Sequence, residues 1–238
     1  MGTLTLANLR EEIKAHMGER DDITDAQFNR AINLAQERMA RSHGFRELTF
    51  SLSHTAAFAD VPATDKFLPF SALALGGRDI KQVISFIAID GTNSNKIERK
   101  TPRQLDILIP SKEAHSTFRP LFYVEWRDQF EFWRIPDKSY TYDIRLMTWA
   151  LDLSVDGNKS DFDHKDDIII NLTVSGLFNR VGEYERAGRF FGIFNAMWRD
   201  AITLELTEPD RVIKPPQNEP GGRANSQYWL DPFVRGIN

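Results

Sequence analysis

The sequence has no cysteine, which excludes a disulfide framework, a thiolate nucleophile and any zinc site built on sulfur. Long apolar runs are missing too. The longest, "VISFIAI" from Val83, is broken by a serine and falls far short of the ~20 residues that span a bilayer. The first residues, "MGTLTLANLREE", lack the basic flank and apolar stretch of a secretory signal, and Leu6 stands where a myristoylation signal needs Ser or Thr. A soluble protein made and kept without secretion, with no membrane partner, is expected.

Charge of one sign is also scarce. The net charge of −4 divides into −2 for residues 47–162 and −2 for 163–206, while 1–46 and 207–238 balance. Binding to DNA or RNA needs clustered Lys and Arg that displace counterions, and no segment offers such a cluster. The five histidines, His16, His43, His54, His115 and His164, fall at no ligand spacing. "DGNKSDFDHKDD" at 156–167 is acidic, yet its glycine is second rather than sixth and no glutamate closes the loop, so a turn leading into a helix cap explains it better than a calcium loop. Gly76-Gly77 and Gly221-Gly222 lack the Lys-Ser or Lys-Thr of a phosphate loop, and no Gly-x-Ser-x-Gly elbow occurs. No cofactor, no metal and no catalytic residue are expected; the protein is read as a non-enzyme.

What is present is a sequence of 238 residues, 41% of them hydrophobic, enough for a core of its own. Leu6, Leu9, Ile13 and Met17 recur at helical spacing from Thr5 to His16, with Gly18 as the stop. Thr24 and Gln27 form a capping-box pair ahead of the stripe Phe28, Ile32, Ala35, Met39, which runs to about His43 before Gly44. Arg30, Arg38 and Arg41 fall on the other face, to be wet or to meet a partner. From Glu47 the period becomes two. "LTFSLSHTAAF", "QVISFIAIDG", "PLFYVEW", "QFEFWRIP" and "YTYDIRLMTWALDL" read as strands. "TPRQLDIL" reads as a short inserted helix with Thr101 as cap and Pro102 at the first position.

At Asp163 the helical period returns. Asp163, Asp166 and Asp167 suit a helix N-terminus, and Ile168, Ile169, Leu172, Leu177, Phe178 and Val181 are apolar nearly all round. After Gly182, a last helix places Tyr184, Ala187, Phe191, Phe194, Trp198 and Ala201 on one stripe. A hairpin at each end of the chain, neither able to hide its stripe alone, predicts an α+β protein. Residues 1–46 and 163–206 form a helical bundle, residues 47–162 an inserted antiparallel β-domain, and residues 207–238 an extended C-terminal arm.

The arm poses a problem of its own. "TEPDRVIKPPQNEPGGRA" forbids regular structure, yet the chain ends "NSQYWLDPFVRGIN", with an apolar cluster that loose tails rarely carry. The roughly thirty residues from Thr207 reach about 90 Å when extended, more than the diameter of such a domain. The aromatic end therefore either folds back onto its own subunit or reaches a neighbour.

The segments "LTLANLREEIKAHMGERDDITDAQFNRAINLAQERMAR", "TPRQLDIL" and "YWLDPFVR" together resemble the head-to-tail adaptor (connector, or head-completion) proteins of tailed bacteriophages. The resemblance implies a structural virion protein at the neck, assembled in the host cytoplasm as a ring, in that family usually of twelve copies. Such a ring sits beneath the portal protein, continues a channel that DNA crosses without sequence-specific binding, and offers a platform to tail or nozzle proteins. It further implies that Tyr228, Trp229, Leu230, Pro232, Phe233, Val234 and Arg235 of the arm contact portal subunits. A rival from another class is a carbohydrate-binding or glycan-degrading virion protein, with Glu125 and Glu131 as paired carboxylates beside aromatic platforms on neighbouring strands.

Overall fold

Thr5 opens the first helix, its Oγ1 accepting from the Asn8 N–H at 3.3 Å. The computed structural model describes residues 2–18, 20, 22–108 and 117–207, and in it α1 runs Leu6–Met17 with Leu6, Leu9, Ile13 and Met17 buried. Gly18 ends it at φ 75°, the left-handed region that costs glycine nothing. Helix α2 runs Asp25–Ser42. Thr24 N–H donates to Gln27 Oε1 at 2.9 Å, and Phe28, Ile32, Ala35 and Met39 form its buried stripe.

Two four-stranded sheets follow. In chain order come β1 (Thr49–Ala56), the one-turn helix α3 (Pro62–Asp65), β2 (Phe67–Pro69), β3 (Ile80–Asp90), β4 (Asn93–Lys96), β5 (Glu98–Arg99), α4 (Pro102–Leu108), β6 (Phe122–Glu125), β7 (Gln129–Trp133) and β8 (Tyr140–Thr148). One sheet has the order β1-β8-β3-β4, the other β2-β7-β6-β5. The expected antiparallel pairing needs one correction: β5 and β6 are parallel, Glu98 facing Phe122, because α4 lies between them and supplies the crossover a parallel pair requires. Helix α4 is capped reciprocally, Thr101 N–H to Gln104 Oε1 at 2.9 Å and Gln104 N–H to Thr101 Oγ1 at 3.2 Å.

Phe86 on β3 joins the two sheets. It is buried, and its ring meets Tyr142 of its own sheet at 5.5 Å and Tyr123, Phe130 and Phe132 of the other at 5.0, 5.1 and 5.6 Å. Most of these contacts are edge-to-face, the geometry that aromatic quadrupoles favour. Strand β8 stops earlier than the sequence pattern suggests. After Thr148 the chain leaves the sheet for α2, where the Leu153 N–H donates to Asn33 Oδ1 at 2.9 Å and Asn33 Nδ2 donates to Leu153 O at 3.2 Å.

Helix α5, Asp166–Arg180, is buried on almost every side and packs on both α1 and α2. Helix α6, Tyr184–Thr207, follows it. The stripe expected on α6 is rotated. Tyr184 is 73% and Phe191 48% exposed, while Ala187, Phe190, Phe194, Met197, Trp198 and Ala201 face the core. The three- and four-residue spacings through Phe190 and Met197 define the buried line, and Tyr184 and Phe191 lie on its flank. Residues of α1, α2, α5 and α6 form one apolar cluster and the sheets another, both within the unit that ends at Glu205.

The acidic stretch before α5 serves the N-terminus. Asp166 Oδ2 accepts from Thr3 N–H at 2.7 Å, Thr3 Oγ1 at 2.5 Å and Leu4 N–H at 3.0 Å. Gly2 N–H donates to Ser160 O and Leu6 N–H to Asn158 O, both at 2.8 Å. A Cβ at Gly2 would stand 2.7 Å from Asp166 Oδ1, so the close approach of the two segments calls for glycine. Asp166→Ala is expected to lower the unfolding free energy by ~1.5–3 kcal/mol, since it strips a charged acceptor from two part-buried amides. Asp167→Ala, one residue on and exposed, should cost no more than ~1 kcal/mol, the range of a dipole interaction. Urea unfolding of both variants measures the difference.

Candidate interaction surfaces

The two carboxylates offered as a catalytic pair do not converge. Across β6 and β7, Glu125 faces Phe130 and Val124 faces Glu131. Side chains alternate along a strand, so Glu125 and Glu131 project from opposite faces of the sheet. Each is engaged locally. Arg99 Nη2 lies 2.9 Å from Glu125 Oε2, and Glu131 takes the Trp126 Nε1–H at 2.9 Å and Lys66 Nζ at 3.5 Å. No single glycosidic bond can sit between them.

The other titratable residues singled out by the sequence tie elements together. Asp156 pairs with Arg10 at 3.2 Å, and Asp161 binds Arg78 and accepts the Leu151 N–H at 2.8 Å. His43 Nε2 meets Glu205 Oε2 at 2.8 Å, while Arg46 N–H reaches Glu205 Oε1 at 3.0 Å, fixing the end of α2 to α6. Among the described residues, no group of His, Asp and Glu could hold a metal ion. Gly76 and Gly77 have φ of 61° and 82° and form a turn.

Burial raises three phenols in the sheet cluster. Tyr123 is pushed up to about 12, against a smaller opposing pull from Arg99. Tyr142 is raised by burial, and Tyr140 by burial and by donating to Asp137 Oδ1 at 2.7 Å.

The described surface offers apolar patches and grooves, two of them beside α2. The outer side of α6 shows Tyr184, Phe191, Ile193 and Leu204, and α4 ends in exposed Ile107 and Leu108. One groove, of about 380 Å³, runs between α2 and α5 and includes Arg30, Leu34, Arg38, Gly176 and Arg180. A second, of about 420 Å³, lies on the other flank of α2 and includes Asp79, Leu151 and Asp152. The sequence anticipates Arg30 and Arg38 as outward-facing. It gives no sign that Arg180, some 140 residues on, would join them. The arm residues Tyr228, Trp229, Leu230, Pro232, Phe233, Val234 and Arg235 lie outside the described residues.

A family model described as "SU10 adaptor protein" matches residues 4–219, which takes in every helix and strand and stops short of the aromatic end. No curated protein matches the chain.

The raised phenol generates a pH prediction. Tyr123 in the folded chain holds its proton to about pH 12, against about 10 when unfolded. Its neutral form therefore favours folding fully below pH ~10, and that contribution is lost as the pH rises through ~12. Tyr123→Phe removes the ionisation, so circular dichroism across an alkaline titration should show unfolding at a higher pH than for the parent chain. An unchanged or lowered midpoint would contradict the assignment.

Proposed function

The chain belongs to the SU10 adaptor protein family, bacteriophage structural proteins of the head-to-tail junction, and on that premise we propose that it forms a ring under the portal, anchored by its C-terminal arm. The ring, of twelve copies, continues the DNA channel and presents a docking platform to tail or nozzle proteins. Residues 1–46 and 163–206 form its helical bundle, residues 47–162 the β-domain that bears the next tail component, and residues 207–238 the arm. The single observation that carries this reading is the family match over 216 of 238 residues, from 4 to 219.

Physical considerations support the details. A ring of mildly acidic subunits repels the DNA backbone over about a Debye length, which favours sliding over sticking. Trp229 and Phe233 are large anchors at the end of a spacer rich in proline and glycine. An arm that orders only on docking bears an entropy cost at that step, and repetition round a ring offsets it through effective concentration.

Deleting everything after Thr207 should leave the helix and strand circular-dichroism signal intact, since α6 ends at Thr207, and should abolish joining to portal-bearing particles. In the full chain, Trp229→Ala and Phe233→Ala should each weaken docking by roughly 1–4 kcal/mol, and Asn225→Ala by almost nothing. Normal attachment of the shortened chain would sink the anchoring role; a collapse of its melting temperature would show the arm packing on its own subunit. The double variant Glu125→Gln, Glu131→Gln should support the parental phage titre, and a loss of titre with assembly intact would instead restore a catalytic role for the β-domain.

A further inference from the structure

The two grooves beside α2 are opposite in charge and similar in size. In the groove toward α5, Arg30, Arg38 and Arg180 line the walls together with Leu34, which is 45% exposed. None of the three arginines makes an ion pair with any described residue. Three cations without an ion-pair partner and an exposed leucine in one groove suit a partner that brings carboxylates and an apolar group to it. Gly176 opens its floor: a Cβ there would meet nothing within 4 Å.

The groove on the other flank of α2 has the complementary inventory. Asp79 and Asp152 carry no ion pair with a described residue, and Leu151 between them is 37% exposed. The remaining charged groups there are already neutralised, Glu37 by Arg41 at 2.5 Å and Arg78 by Asp161.

Building on the reading that copies assemble side by side, we infer that the arginine groove of one copy receives the Asp79–Leu151–Asp152 face of the next, with Leu151 seated against Leu34. Because the two faces differ, each copy binds one neighbour with each face. Such a heterologous contact propagates through many copies and closes into a ring when the rotation allows. The charge pairing selects the register and disfavours either face meeting its own kind.

The absence of native cysteine makes the test clean. The full-length chain carrying Gly176→Cys and Ala150→Cys, the latter beside Leu151 in the acidic groove, treated with a short bis-maleimide, should give a ladder of dimer, trimer and higher species on a denaturing gel. Each single-cysteine chain should stay monomeric. Adding Arg38→Glu should cut the ladder at least tenfold, and adding Asp152→Arg to that chain should restore it. Dimers from either single-cysteine chain, absence of a ladder, or a ladder indifferent to Arg38→Glu would each overturn the contact. Joining to portal-bearing particles is scored separately. Normal joining without a ladder sinks this interface and leaves the adaptor reading standing, whereas a parent chain that never joins such particles sinks that reading whatever the gel shows.

Discussion

Helix α5 is apolar on nearly every side, and the rest of the structure follows from the need to enclose it. Ile168, Ile169, Ile170, Leu172, Val174, Leu177 and Phe178 are all buried, so no single neighbour could cover the helix. Coverage comes from α1 and α2, whose residues precede it by more than 120 positions, and from α6, which follows directly. Helices α1 and α2 must therefore meet α5 and α6, and the intervening strands must leave the helices and return to them. Asp166 fixes that return by drawing the amides of Thr3 and Leu4 onto the first turn of α5.

The sheets obey a separate constraint. Their cluster is centred on Phe86 and shares no buried residue with the helical one, so the β-excursion has its own source of cohesion. The join between them combines specific polar ties, Asn33 of α2 to the backbone of Leu153 and Lys81 of β3 to the Ala40 carbonyl of α2, with Met147 of β8 packing on the helical cluster. A construction of this kind concentrates charge and exposed apolar groups on the flanks of α2, where the helical part meets the segment leaving the sheet. A protein that joins other proteins needs such faces.

Much of the fold is legible along the chain because its signals are local. Thr24 and Thr101 cap helices where their positions predict, and Gly18 stops one. The alternation through Thr49–Ala56 gives a strand with one face covered. Misreadings arise where a residue has two local options. Phe190 and Phe191 are adjacent, and either could continue the stripe of α6; packing against Phe178 at 5.7 Å selects Phe190.

By itself, then, the sequence determined where α1, α2 and α4 begin and that helical stretches flank a strand-rich segment, because caps and periodicity act over a few residues. Its texture also resembled phage adaptors, in agreement with the family match. Only the tertiary structure decided that Asp166 serves the N-terminus, that Glu125 and Glu131 point apart, and that Arg180 joins Arg30 and Arg38 in one groove with Leu34. Each of these depends on the distance in space between groups far apart in sequence or on the register of paired strands, and neither quantity is encoded in the spacing of residues along a single element.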